Sequence, residues 1–531
     1  MSLFLLLQYK NIFSQSLTLE KSYLNTIYRN QQLLDTSDTD VSFTIRPIIL
    51  DSNINNKTFL NKTTKALPLI FRFNNNNNHP FGINLGSLYP TRGSQFYISG
   101  GLYTKYKKFK IQIQPEFVYA ENLNFRTFPN EHYDPIWDAY YKWYNKIDLI
   151  EKFGDKSLNT IFLGQSKLEY DINKNISLKL SSENVWWGPG VKQGLVLTNN
   201  SNGFLHFGLQ TIKPIKTKYG SFEGQFIFGN LKNSNVEPTY KNKVFHNKFL
   251  YNPKLNEQRF ITGLILTFHP KILKGLYIGT ANTSIAYYKD ANNFFDFLPL
   301  NNIINSKIDK LNKRANLGSL FARYIFHESN SEIYFEYGRS DKYPTLFNLL
   351  DGKTDPRGFI AGFRTISKPT NRKYRFSFMT EFVQLDAIHK NQVTNVESWY
   401  TNNYIRQGFT NNGKVLGAGI GPGSTSQMFD LSILYPKSIF GITMTRIVNN
   451  RDFYFNAYQD YVNWKSHWVD LSTTFHANFN LNKKITVITD ISFTNSLNYN
   501  WWFLPLTDPI LPGRGYDTNN ITSNIMMVYN F

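Results

Sequence analysis

Cysteine is missing from the 531-residue chain, which excludes disulfides, thiolate metal sites and a cysteine nucleophile. Long apolar runs are also missing. No stretch approaches the roughly 18 apolar residues of a spanning helix, and mean hydropathy is −0.38, so helical membrane insertion is excluded. Acidic residues are scarce: 38 Asp and Glu stand against 58 Lys and Arg, a net charge of +20. That surplus fits nucleic acid, anionic headgroups or an acidic polymer. The lysines are scattered through turns and loops, not gathered on one recognition element, and this argues against nucleic acid. No G-x-S-x-G elbow is present. His206, His269, His327 and His476 fall in expected strands or turns without a Ser and Asp partner pattern, so the sequence reads as a non-enzyme. Nothing points to a metal or a cofactor.

What the chain has is aromatic surface: 45 Phe, 33 Tyr and 9 Trp, 16% of all residues. It is spread thinly among polar residues, as in a barrel wall that shows lipid only every second side chain. Period-two alternation recurs along nearly the whole length. Phe109, Ile111, Ile113, Phe117 and Tyr119 fall on one face and Lys110, Gln112, Gln114 and Glu116 on the other. Leu471, Phe475, Ile491 and Phe493 repeat the pattern against Asp470, Ser472, Ser492 and Thr494. The runs are about 9 to 13 residues, near the length of a tilted spanning strand. Short connections near 104–108, 171–175, 214–220, 269–275, 327–331, 369–372, 435–438 and 480–484 alternate with long ones such as 121–158, 231–256 and 387–425. With a first strand near Val41–Leu50 and a last near Ile521–Phe531 the expected total is about 18 strands, both termini on the periplasmic side. The closing alternation ends on Phe531, like the terminal strand that the barrel-assembly machinery reads. The expected organisation is an export-signal remnant over 1–16, a periplasmic segment over 17–40 with a weak helical pattern at Leu17–Leu34, and an all-β, antiparallel transmembrane barrel over 41–531. Asn74 to Asn78 reads as a low-complexity loop.

Three segments go beyond a generic barrel. Ser182–Leu231 carries Trp186-Trp187-Gly188-Pro189-Gly190. Phe335-Glu336-Tyr337-Gly338 and Asp341 lead into Asp355-Pro356-Arg357-Gly358. Arg406-Gln407-Gly408-Phe409-Thr410-Asn411-Asn412-Gly413 runs on to Gly417–Ser424. Together, and with the helical-looking Trp137–Phe153, they resemble the capsule assembly Wzi family from about Arg46 to Phe531. The resemblance implies an 18-stranded outer-membrane barrel with a lumen occluded by loops, acting as a surface lectin that anchors capsular or related polysaccharide. By the same resemblance it is neither an enzyme nor an export channel.

Read from the residues themselves, the glycines at 188–190 and 417–423 permit tight bends, a structural duty. Trp186, Trp187, Trp399 and Tyr404 have faces for sugar C–H groups, and they serve equally as girdle or plug packing. Trp137, Trp143, Trp501 and Trp502 sit on expected external loops with the same two roles. Arg357, Arg406 and Lys414 would hold acidic sugars or form lumenal ion pairs with Glu183, Glu336 or Asp341. Lys373, Arg375 and Glu381 read as wall charges opposite lipid-facing Tyr374, Phe376, Phe378 and Phe382. A diffusion channel or glycan transporter component is the other reading that the barrel itself permits. Expected partners are surface polysaccharide, outer-membrane lipid and the assembly machinery.

Overall fold

The computed structural model describes residues 16–17, 22–35, 41–49, 63–298, 313–340, 356–368, 374–387, 397–458, 467–502 and 516–531. Alternating apolar and polar side chains, joined through short turns, give antiparallel strands that close on themselves. The wall runs β1 (Thr63–Asn76), β2 (Gly93–Tyr106), β3 (Phe109–Ile113 and Glu116–Ala120), β4 (Leu158–Phe162 and Lys167–Asp171), β5 (Ile176–Ser181) and β6 (His206–Thr211 and Ile215–Lys216). It continues through β7 (Gly220–Leu231), β8 (Arg259–Pro270), β9 (Leu276–Tyr287), β10 (Ala315–Phe326), β11 (Ser331–Arg339) and β12 (Arg357–Ile366). Then follow β13 (Arg375–Gln384), β14 (Thr425–Leu434), β15 (Ser438–Val448), β16 (Val469–Asn480), β17 (Ile485–Leu497) and β18 (Thr518–Tyr529). Each pairs with its chain neighbours, and β18 pairs with β1 to close an 18-strand barrel.

The alternation sorts side chains as expected. Phe109, Ile111, Ile113 and Phe117 are exposed on the outer wall, while Lys110, Gln112, Gln114 and Glu116 are buried inside. On β13, Phe376, Phe378 and Phe382 point outward and Glu381 is buried; Lys373 lies outside the described residues. The short connections mark the periplasmic end and the long ones the external end. Because β18 is hydrogen-bonded on both sides, it leaves no free edge. Deleting the exposed Phe531, or replacing it by Asp, is expected to lower heat-modifiable, membrane-assembled protein several-fold. Unchanged levels would count against a closing role for that residue.

Two sequence expectations need correction. The segment 41–50 is not the first barrel strand: Ile45–Arg46 pairs with Trp186–Trp187 and Ile48–Ile49 with Ser16–Leu17, both apart from the wall. The first strand is instead Thr63–Asn76, which takes up most of the polyasparagine run. Asn74, Asn75 and Asn76 pair with Asn524, Ser523 and Thr522 on one side and with β2 on the other. Ladder partners on both sides satisfy a backbone that low complexity alone leaves unspecified.

The expected N-terminal helix forms over Ser22–Leu33 (α1). Its Leu33 packs with Tyr277, Ile325, Ile366 and Leu434, residues at the periplasmic ends of four strands, so the helix sits within that mouth. A second helix, α2 (Asp134–Tyr144), has proline near its first turn, and a third, α3 (Arg451–Ala457), has its N-cap at Asn450. Both stand in long external connections. Helix α2 is shorter than the Trp137–Phe153 pattern suggested. Beyond it, the N–H groups of Asp148 and Ile150 donate to the carbonyls of Gln407 and Gly413, and this tertiary pairing removes them from a helix.

Candidate functional site

The Trp186–Gly190 motif folds into the barrel as an anchored loop. Glu381, on the wall strand β13, accepts backbone N–H bonds from Val191 at 2.7 Å and Gln193 at 2.8 Å, and a weaker one from Lys192 at 3.2 Å. The Tyr334 hydroxyl donates to the same carboxylate at 2.6 Å. Glu336 on β11 accepts from the Leu195 N–H at 3.4 Å and from the Ser319 hydroxyl at 2.8 Å. Glu381 is thus satisfied chiefly by the loop's backbone, and Glu336 by a wall hydroxyl with one longer bond from the loop, contacts that offset the cost of burying polar groups. The glycines follow from this proximity. Gly188 has φ +101°, and a Cβ there would stand 2.6 Å from a Glu336 carboxylate oxygen; one at Gly190 would stand 1.9 Å from the Gln193 carbonyl.

Arg46 locks the other side. Its guanidinium lies 4.2 Å from the centroid of the Trp186 ring and donates to the carbonyls of Gly188 and Gly190 at 2.9 and 2.8 Å. Trp187 donates its indole N–H to Gln225 at 2.7 Å. At the periplasmic end, Arg29 of α1 donates to Glu332 at 2.8 Å and to the Pro189 carbonyl at 2.8 Å, joining helix, loop and wall. Arg323 and Arg364 reach the same Glu332 at 2.6 and 2.9 Å.

The segment 397–424 folds in beside that loop. The Tyr400 hydroxyl donates to the Leu195 carbonyl at 2.7 Å and accepts from the Ala418 N–H at 2.6 Å. The Thr198 hydroxyl donates to the Gly417 carbonyl at 2.6 Å. Trp187, Trp399, Leu195, Ile405 and Val415 share one apolar core. Trp186, Trp187 and Trp399 are 4%, 0% and 0% exposed. These three side chains pack within the lumenal segments instead of standing at the surface, because the segments that carry them turn inward. Lys414 likewise turns inward and donates to the carbonyls of Gly86 and Leu88 at 2.5 and 3.0 Å. Asp341 lies outside the described residues.

The external end is different in chemistry. Phe128, Trp137, Tyr140, Tyr144, Phe453 and Trp501 form an aromatic cluster drawn from the connection before α2, from α2 and α3, and from the 498–502 stretch. Phe128 stacks on Tyr140 at 4.3 Å and meets Trp137 edge-on at 4.9 Å, geometries favoured by ring quadrupoles. Cations lie on its margin. The Arg126 guanidinium is 3.5 Å from the Trp502 ring and 4.8 Å from the Tyr516 ring, and the Lys254 ammonium is 4.1 Å from the Tyr144 ring. Arg406 donates to the carbonyls of Asn252, at 3.3 Å, and Pro253. The half-buried Tyr404 donates to Asp290 at 3.0 Å. Arg357 is exposed where β12 begins, in register with Arg339. Arg126, Lys254 and Tyr516 escape a sequence reading because they come from separate connections with no shared motif. Trp502 is visible only as one of several loop tryptophans.

Beneath the cluster, burial pushes the Glu151 carboxyl up to about 7, partly offset by the Phe128 N–H that it accepts. A carboxyl whose pKa is raised on folding contributes stability that is complete below its ordinary pKa of 4.5 and is lost as pH rises through about 7. Glu151→Gln is expected to remove this dependence. At pH 8 the external cap should gain up to about 3 kcal/mol of local stability, read as slower amide exchange over 128–144. Identical exchange in both proteins from pH 5 to 8 would refute the assignment.

Comparison with known proteins follows the same lines. A structure described as Wzi, an outer-membrane protein involved in group 1 capsule assembly in Escherichia coli and a carbohydrate-binding β-barrel, aligns at TM-score 0.59 with 10% identity, covering 95% of this chain and 97% of that one. An Acinetobacter baumannii barrel, OccAB2, aligns at TM-score 0.42 with 12% identity over 89% of this chain and 98% of its own. No curated protein sequence matches. The family model for the capsule assembly protein Wzi matches residues 83–483. With its closed outer-membrane barrel and its Trp-Trp-Gly-Pro-Gly loop inside that match, the chain belongs to the Wzi capsule assembly family.

Proposed function

We propose that this protein is a surface lectin that holds capsular or related acidic polysaccharide at its external cap and so assists capsule assembly. The observation that carries this reading is the half-buried margin of the external end, where Arg126 lies over Trp502 and Tyr516 and Lys254 over Tyr144, around a buried aromatic cluster that supports it. Flat rings take the C–H faces of sugars, and cations beside them take carboxylates or phosphates. Arg406, Tyr404 and Arg357 stand at the same end of the barrel and are included in this reading. Many weak contacts along an extended polymer add through multivalency. The lumen is closed in this reading, by the anchored 186–195 loop and by α1, so the protein acts by holding glycan and not by passing it. Phe531 is the signal by which the assembly machinery recognises the last strand.

The test is retention of polysaccharide on cells and on immobilised purified protein. Arg126→Ala with Trp502→Ala is expected to lower retention about tenfold while heat-modifiable barrel is unchanged, since loops tolerate change better than strands. The arginine part of the loss should shrink in high salt, because exposed ionic contacts are screened over roughly 8 Å at physiological ionic strength. Trp187→Ala, by contrast, should reduce folded protein. Full retention by the folded double variant would remove the cap as the glycan site.

A further inference from the structure

The short periplasmic connections are rich in lysine and nearly free of carboxylates among their described residues, whereas long external connections such as 121–157 and 232–258 mix both signs. The short ones are eight: 107–108, 172–175, 212–219, 271–275, 327–330, 367–374, 435–437 and 481–484. Among their described residues, twelve lysines stand against one side-chain carboxylate, Glu328, and all twelve lysines are exposed. Seven of the eight turns carry at least one. The external connection 121–157 instead mixes seven Asp and Glu with five Lys and Arg, several of them paired, as Lys142 with Asp138 at 2.6 Å.

Apolar side chains are interleaved with these lysines. In the turn Lys271-Ile272-Leu273-Lys274, Ile272 is 92% and Leu273 51% exposed, and Leu481, beside Lys483 and Lys484, is 62% exposed. Just above, on the outer wall, Lys107, Lys218 and Lys484 approach the rings of Tyr106, Tyr219 and Tyr529 at 5.4, 4.7 and 5.8 Å. Lipid-facing tyrosines, then lysines, then apolar turn tips form a sequence suited to the depth of a headgroup layer, where lysine stems lie along acyl chains and ammonium groups reach phosphates.

We infer that the periplasmic rim is a binding surface for anionic phospholipid headgroups of the inner leaflet, selecting phosphatidylglycerol or cardiolipin over zwitterionic lipid. Distribution around the ring matches an annulus of lipid molecules better than one docked protein. Attraction of a lysine to an anionic surface corresponds to roughly a fivefold preference.

The experiment uses the full chain reconstituted in phosphatidylcholine vesicles, with spin-labelled phosphatidylglycerol or phosphatidylcholine as probe. The immobilised fraction should favour the anionic label about fivefold at low salt and fall toward parity in 1 M salt. The variant K271E/K274E/K483E/K484E should bring the preference within about twofold of parity, whereas K241E/K248E, on an external connection, should leave it unchanged. If the quadruple variant does not show the heat-modifiable shift of a folded barrel, the salt titration of the unaltered protein decides. Equal association of both labels at low salt would overturn the inference. So would salt-dependent capture of soluble dextran sulfate at the rim without any lipid preference, which would assign the rim to a periplasmic polyanion.

Discussion

Replacing Glu332 by Ala is expected to lower the stability of the folded barrel by about 3–5 kcal/mol, read as the urea unfolding midpoint in vesicles. One fully buried carboxylate stands among three guanidinium groups: Arg29, Arg323 and Arg364 lie 2.8, 2.6 and 2.9 Å from it. The cations keep other acceptors, the Pro189 carbonyl for Arg29 and the Ser42 carbonyl for Arg323. Removing the carboxylate would still leave three like charges together with no anion between them. Burying charge without a partner is the costly half of any internal ion pair. Glu332→Gln keeps the shape and one acceptor and should fall between. Arg29→Ala should cost less and act locally, freeing α1 from the wall. An unchanged midpoint in Glu332→Ala would show that the cluster is hydrated and not buried as a unit.

The second large effect is electrical. Unaltered protein reconstituted in a planar bilayer should be silent, and Glu381→Ala should show discrete conductance steps. Glu381 is the carboxylate onto which the N–H groups of Val191, Lys192 and Gln193 converge. Hydrogen bonds to a charged acceptor contribute roughly 1.5–3 kcal/mol each, so its loss removes the largest single attachment of the loop to the wall. Gly190→Ala should act in the same direction, because its Cβ would meet the Gln193 carbonyl at 1.9 Å. A folded Glu381→Ala barrel that stays silent would place closure in the 397–424 segment and α1. Glycan retention measured on the same protein separates the two roles, since the cap residues are not among those altered.

Much of this molecule is written locally. Period-two alternation, short and long connections in turn and a closing aromatic strand led to 18 antiparallel strands and to which side chains face lipid. Phe109 and Ile111 outside, Lys110 and Gln112 inside, follow from pleating alone, because successive residues of a strand point to opposite faces. The helix at Ser22–Leu33 was legible from its weak helical pattern of apolar positions, another signal set by near neighbours. What the sequence left open was the destination of everything between strands. A tryptophan on a long connection has the same local signature whether the loop turns outward to water or inward to the lumen. Trp187 became core because Glu381, Glu336 and Arg46, distant in sequence, hold backbone atoms of its loop, and Trp399 because the neighbouring Tyr400 ties its segment to Leu195 of that loop. Asn74–Asn76 are strand because β18 pairs beside them, and Ile45–Arg46 pair apart from the wall because Trp186–Trp187 lie within reach there. The sequence by itself determined the wall and its polarity, which depend on neighbours one and two residues away. Only the tertiary structure decided which connections turn into the barrel and which stand at its external end, since a buried charge or an unpaired backbone group is satisfied by whichever remote segment reaches it.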